Sequence, residues 1–295
     1  MREKLVSVVI TTYGNRQDYL LEAVKSVNSQ SYKNIETIVV DDNGINSTEQ
    51  MQNRKLFEDK EGIIYYPLTN NSGAQVARNT GILISNGDYI AFLDDDDIWE
   101  KEKIQKQVDY LEKNSLDLVF CNGYRFYNDN INDKVIYQEN FQSGHIITFN
   151  SELEGDLIGS TSHPLMRKAC LAKTGLFDVS LEARQDYDMW IRFCKYYKVG
   201  GINENLFFYR YHPGVRITKS IAKDIDSYRK LYKKYKKDYN SNSKAKSNIL
   251  FVLGMSFLKN RDVLRAFYYS VYSFCVNPIN IVSTVYSYYI KKKRF

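Results

Sequence analysis

The front of the chain alternates between two apolar patterns. Val6-Ser7-Val8-Val9-Ile10-Thr11 is a short run rich in β-branched residues, which predicts a strand buried on both faces, as in a parallel sheet. Leu20, Leu21, Val24 and Val27 then recur at helical spacing. The cycle repeats. Residues 35–40 read as a second buried strand closed by Asp41-Asp42, and a polar helix leads to a third strand over 63–66. Ser72-Gly73-Ala74-Gln75 reads as a capping-box start to the next helix. A fourth strand, 88–93, runs into Asp94-Asp95-Asp96-Asp97, and Ile104, Val108 and Leu111 mark a helix before a strand over 116–121. Such alternation predicts a doubly wound, mostly parallel α/β sheet, which binds ligands at the carboxyl ends of its strands.

Beyond residue 122 the alternation fades. Residues 124–148 read as a hairpin or irregular insert, and 151–210 as short strands with a helix near 187–197. A lysine-rich helix follows residue 219, then a Ser/Asn linker at 240–243. Helices are expected over 246–258, 262–276 and 278–291, the last opened by Asn277 as cap and Pro278 in its first turn. The pattern predicts one domain over 1–218, with halves 1–121 and 122–218, and a helical region over 219–295.

Charge reinforces that division. Residues 1–218 carry 24 Lys and Arg against 31 Asp and Glu, whereas 219–295 carry 17 against 4. An acidic front and a basic back suggest different partners. Cys121, Cys170, Cys194 and Cys275 form no CxxC pair and read as buried, reduced thiols. The first twelve residues do not read as a secretory leader, and no stretch of eighteen apolar residues would span a bilayer. A cytoplasmic protein is expected, at the inner face of the plasma membrane if its basic end meets lipid.

Candidate chemistry lies at the strand ends. Four adjacent carboxylates repel one another unless positive charge sits among them, and oxygen ligands suit Mg²⁺ or Mn²⁺. A solvated turn with Asp97 capping the helix at 101–112 is the plainer alternative. Asp41-Asp42 could accept from a ribose hydroxyl or a base N–H, or simply form a turn into Asn43-Gly44. Thr11 and Tyr13 close the first strand beside them, and the phenol could stack on a base.

The blocks Ser7–Tyr13, Val39–Asp42, Ala77-Arg78-Asn79-Thr80-Gly81, Gly87–Asp97, Gly175–Asp178 and Asp186–Arg192 resemble family 2 glycosyltransferases of the GT-A fold, over roughly residues 5–215. The resemblance implies that 1–121 is the nucleotide-sugar half and 122–218 the acceptor half. It implies that Thr11, Tyr13 and Asp42 hold the base, usually uracil, and that Asp95 lies near the ribose. Arg78 would contact the diphosphate or donor sugar. Asp94 and Asp96 match the ends of the DXD motif and would bind Mn²⁺ or Mg²⁺, joined by His212 from a closing loop. Asp186 falls at the family's catalytic base, although Gln185 stands where many members carry Glu. As a plain residue, Asp186 would be a helix N-cap. Thr11-Thr12-Tyr13-Gly14 stands in place of the usual Pro-Thr-Tyr-Asn.

The function implied is an inverting transfer of a hexosyl or N-acetylhexosaminyl group from a UDP-sugar to a glycan or lipid-linked glycan acceptor, in surface polysaccharide or glycoconjugate synthesis. The rivals are a metal-dependent sugar nucleotidyltransferase, which lacks its glycine-rich loop here, and an inactive nucleotide-sugar-binding scaffold. His145 and His163 receive no metal role, although Gly159–Pro164 is a candidate acceptor-facing segment. Trp190 and Arg192 are expected in the core and in an ion pair. For 219–295 the readings are packing on the catalytic domain, a homodimer, or peripheral contact with an anionic membrane; nucleic acid is disfavoured.

Overall fold

The computed structural model describes residues 3–127, 129–137, 144, 146–211 and 220–292, with side chains as far as residue 286. Strands and helices alternate as β1 (Val6–Thr12), α1 (Gln17–Asn28), β2 (Ile35–Asp41), α2 (Thr48–Phe57), β3 (Ile63–Pro67), α3 (Ala74–Ile84) and β4 (Tyr89–Asp94). Next come β5 (Ile98–Trp99), α4 (Lys103–Lys113), and β6 (Leu118–Tyr127), which turns back as β7 (Asn130–Ile136). Then follow β8 (Ile146–Ile147), α5 (Phe149–Glu154), β9 (Leu165–Arg167), α6 (Leu171–Thr174), α7 (Gln185–Tyr196) and β10 (Val199–Tyr211). The described chain closes with α8 (Ile221–Lys234), α9 (Lys236–Ser241), α10 (Ser243–Lys259), α11 (Val263–Val276) and α12 (Pro278–Lys292). Two compact units result. One holds Met1–Thr148, Ile158–Val179 and Gln185–Gly214; the other holds Phe149–Leu157, Ser180–Arg184 and Val215–Phe295.

The first unit is built on one sheet in the order β3-β2-β1-β4-β9-β6-β10-β5, with β7 on β6 and β8 on β10. The pairings among β3, β2, β1 and β4 are parallel, as is β6 with β10. The short β9 runs antiparallel between β4 and β6. Its three residues gave no periodic signal. Strand order reverses at β1, which has β2 on one side and β4 on the other, and such a reversal opens a crevice at the carboxyl ends. Helices cover the sheet closely. A Cβ on Gly81 of α3 would collide with the Val9 side chain, so only glycine lets that helix rest on β1.

One buried group under this sheet is unusual. Lys103 is fully buried, donates to Gln107 Oε1 (2.7 Å) and lies 4.1 Å from the Trp99 ring centroid. Burial pulls its pKa down to about 8, and pushes that of neighbouring Cys121 up to about 11.

In the second unit, α8, α10 and α11 share a small core of Ile225, Leu253, Phe257 and Ala266. Arg184 and Lys223 pair with Asp224 and Glu182, and Lys244 with Glu154. The expected 240–243 linker is instead a tight junction: Asn242 accepts from Ala245 N (3.0 Å) and caps α10. Asn277 caps α12 as expected, accepting from Asn280 N (3.0 Å). Cys121, Cys170 and Cys194 are buried, but Cys275 is exposed on α11. No helix among the described residues is long and apolar enough to cross a membrane.

Candidate active site

The strand-order reversal brings three polar strand ends into a row. Thr11 lies beside Asp94 in the register of β1 with β4, and Thr12 beside Asp41 in that of β1 with β2. Asp94–Asp97 then forms a tight turn closed by Asp97 N donating to the Asp94 carbonyl (3.1 Å). The turn sorts its carboxylates alternately: Asp94 and Asp96 are half-buried, Asp95 and Asp97 buried.

The inward pair is fully engaged. Asp95 accepts from Thr12 Oγ1 (2.6 Å) and Arg16 Nη1 (2.9 Å). Asp97 accepts from Ser162 Oγ (2.6 Å) and from the backbone N–H of Arg210 (3.3 Å). Burial, and next the charge of Asp96, pushes Asp95 up to about 7. The same causes, with Asp94 added, hold Asp97 well above the carboxylate range. Asp97 is therefore no helix cap; α4 begins at Lys103, with Glu102 at its cap position.

The outward pair meets arginines. Arg78 Nη2 donates to Asp94 Oδ1 (2.7 Å), which also accepts from Thr161 Oγ1 (3.1 Å). Arg16 Nη1 reaches Asp96 Oδ2 (2.8 Å), and Arg210 Nε holds the Asp96 carbonyl (3.0 Å). Arg210 also pairs with Glu22 and Asp129. These guanidinium groups offset the repulsion within the turn. Arg78 is buried, yet its Nε and Nη1 have no hydrogen-bond partner among the described residues. Two spare buried donors are costly unless a ligand accepts from them.

Whether a divalent ion suits this turn depends on its donor set. Among the described residues no three His, Cys, Asp or Glu side chains converge on one point. Asp94 and Asp96 nevertheless supply outward oxygen donors, and Mg²⁺ is commonly held by one or two carboxylates completed by phosphate oxygens and water. The pair fits that mode. His212 lies outside the described residues.

The remaining expected site residues are placed as follows. Thr11 is half-buried at the end of β1, and Tyr13, 46% exposed, stands in the following loop. Asp42 is buried and accepts from Ser72 N (2.7 Å) and Gly73 N (2.9 Å), with its pKa raised chiefly by burial. Its carboxylate anchors the start of α3; the expected capping box is absent because Gly73, at φ 92°, occupies the cap position. Asp186 is half-buried in the first turn of α7, where the helix dipole favours a carboxylate, and its Oδ1 accepts from Tyr187 N (2.9 Å).

A single segment links α7 to the acidic turn. Trp190 Nε1 donates to the Gly159 carbonyl (2.8 Å), while Thr161 and Ser162 bond the turn itself. Arg192 pairs with Asp188, as expected. The same segment corrects one expectation. Thr161, Ser162 and His163 are buried, so these side chains do not face an acceptor. His163 packs 4.1 Å from Phe207 between ring centroids, and burial pulls its pKa to about 3, keeping it neutral. Arg16 and Arg210 were not foreseen as site residues, and Ser162 was foreseen only within the acceptor-facing segment 159–164, not as a partner of Asp97. Only their closeness in sequence to Tyr13 and His212 hinted at the two arginines.

Residues 7–175 match the family described as Glycosyl transferase family 2. A Bacillus subtilis (strain 168) protein named for teichuronic acid biosynthesis, TuaG, is 32% identical over 209 residues, covering 70% of this chain and 79% of its own. An Escherichia coli protein, the UDP-Glc:alpha-D-GlcNAc-diphosphoundecaprenol beta-1,3-glucosyltransferase WfaP, is 31% identical over 72% of this chain and 79% of its own. The chain spans only 33% of an uncharacterized glycosyltransferase of Rickettsia conorii that is 32% identical over 70% of this chain. The S. aureus TarS 1–349 structure in complex with UDP superposes with a TM-score of 0.60 at 17% identity, covering 90% of each chain. The chain thus belongs to glycosyltransferase family 2, and its fold is the GT-A arrangement.

Proposed function

We propose that this chain is an inverting glycosyltransferase, moving a hexosyl or N-acetylhexosaminyl group from a UDP-sugar to an acceptor hydroxyl in surface polysaccharide or glycoconjugate synthesis. The observation that carries the reading is the crevice at the strand-order reversal. There, outward Asp94 meets Arg78, whose Nε and Nη1 keep spare buried N–H groups for an anion, and outward Asp96 meets Arg16. The names of TuaG and WfaP support a polysaccharide product, and that of WfaP a lipid-linked acceptor. The UDP complex of TarS supports the nucleotide.

In this reading Thr11, Tyr13, Asp42 and Asp95 border the nucleoside, and Arg78 donates to the diphosphate. Asp94 and Asp96 would hold Mn²⁺ or Mg²⁺, which when bound supplies Lewis-acid stabilisation of the diphosphate leaving group. A sugar hydroxyl attacks poorly until its proton is removed. The Asp186 carboxylate takes that proton as the acceptor oxygen bonds to the anomeric carbon. The bond from that carbon to the diphosphate oxygen breaks on the opposite face, UDP departs, and the configuration inverts. The reading places the reaction at the cytoplasmic face of the membrane.

The test uses radiolabelled UDP-sugars and candidate acceptors. Asp186→Asn should lower transfer by about two to four decades, the range of a general base, with UDP affinity retained. Undiminished transfer would remove Asp186 from the mechanism. Asp96→Ala should weaken the Mn²⁺-dependent part of UDP binding, read by thermal shift.

A further inference from the structure

Helix α11 is built inside out. Its buried positions are the small residues Ala266 and Ser273, whereas Val263, Leu264, Phe267, Tyr268, Val271 and Phe274 are exposed. At 100° per residue those six fall on one continuous arc. Leu264 is 86% exposed and Phe267 71%. Helix α12 extends the surface with Ile279 (84%), Val282 and Tyr286. Phe274, Ile281, Val282, Val285 and Tyr286 line an open apolar groove.

The inner side has the matching character. A Cβ on Gly254 of α10 would come within 2.8 Å of Ser270 Oγ and 3.3 Å of the Ala266 carbonyl. Ser273 Oγ donates to the Ser247 carbonyl (2.7 Å). Small and hydroxyl residues inside, with large apolar residues outside, is the packing of helices that face lipid; helices that face water show the reverse. Yet among the described residues neither helix is long and apolar enough to span a bilayer, and a helix pair lying in the interface is the arrangement that fits.

Charge decides the kind of surface. No Asp or Glu occurs after Asp262, whereas Lys259, Arg261 and Arg265 flank the start of α11 and Lys291-Lys292-Lys293-Arg294 follow in sequence. The whole stretch 219–295 carries 17 Lys and Arg against 4 Asp and Glu. A second copy of this face would set like charges against each other, while an anionic leaflet would attract them. We propose that the exposed face of α11 and α12 docks onto a membrane leaflet rich in anionic phospholipid. The proposal does not depend on the function proposed above.

The test is flotation of the full chain with vesicles of phosphatidylcholine alone or with phosphatidylglycerol added at about three parts in ten, a composition that gives a strongly negative surface. Binding to the mixed vesicles, weakened by salt, is expected. Leu264→Glu with Phe267→Glu should reduce it by more than about tenfold, since burial of both side chains is lost. The thermal midpoint should not move, because both positions are exposed. UDP affinity, measured on the same samples, reports separately on the strand-end site. Two results overturn the proposal: no binding to either vesicle, or a dimer in solution that the double variant converts to monomer.

Discussion

Helices α7 and α11 are of similar length, twelve and fourteen residues, and α11 is the more apolar, yet they treat water in opposite ways. In α7 the large residues Met189, Trp190, Ile191 and Phe193 are buried, and Asp186 is left half-exposed at its start. In α11 the small residues are inside and the large ones outside. The first arrangement derives stability from burying large side chains, and it can therefore hold the side chain at its start still. The second forgoes that gain in the free chain, which is reasonable only where another apolar phase completes the burial. Apolar content alone does not tell which side of a helix the solvent meets.

The sharpest way to break this contrast is to truncate one large residue on each helix. Trp190→Ala should destabilise the first unit by about 3–5 kcal/mol, the cost of a large buried cavity, with an added loss from the bond to Gly159. Chemical denaturation would measure it; a cost below about 1 kcal/mol would mean that α7 is not anchored as described. Smaller is the effect expected where the fold turns a carboxylate inward. Ser162→Ala removes the hydroxyl that donates to Asp97, at about 1–3 kcal/mol, the penalty of an under-satisfied buried group.

A third test uses pH. Lys103 titrates near 8 when folded and near 10.5 when unfolded. Between these values the unfolded chain binds more protons, so stability rises with pH there. Cys121, raised from 9.0 to about 11 by burial, acts in the opposite sense above pH 9. The window in which Lys103 acts apart from Cys121 is pH 8 to 9, where Lys103 should add about 1 kcal/mol. Lys103→Met should abolish that slope, and an unchanged slope would assign it to another group. Least of all should follow from Leu264→Ala, within about 0.5 kcal/mol in the absence of vesicles. A loss like that at Trp190 would show that α11 is buried in solution.

Much of this was legible from pattern. The β-branched runs of β1, β2 and β4 marked the parallel core, and acidic residues at two strand ends marked the crevice. What escaped has a common cause. β9 is three residues long and inverted, too short for any period to register. The roles of Arg16, Ser162 and Arg210 depend on contacts spanning 65 or more residues of sequence. Asp97 was open to reading as a cap because a carboxylate before a helix usually is one, and the Ser162 hydroxyl and the Arg210 N–H, both distant in sequence, hold it inward. The apolar spacing of α11 was plain, but its orientation goes with Gly254, where a Cβ would crowd the Ser270 hydroxyl and the α11 backbone beside it.

Asp42 has one more implication. Its carboxylate already accepts from the two backbone amides just before α3, Ser72 N and Gly73 N, in the glycine-containing turn where many nucleotide-binding folds cradle phosphate. With those two amides taken by an internal anion, the cations that stand at the neighbouring strand ends are Arg16 and Arg78, on rotatable stems. Grip on a pyrophosphate here would be a matter of side-chain swing, not of a rigid backbone nest.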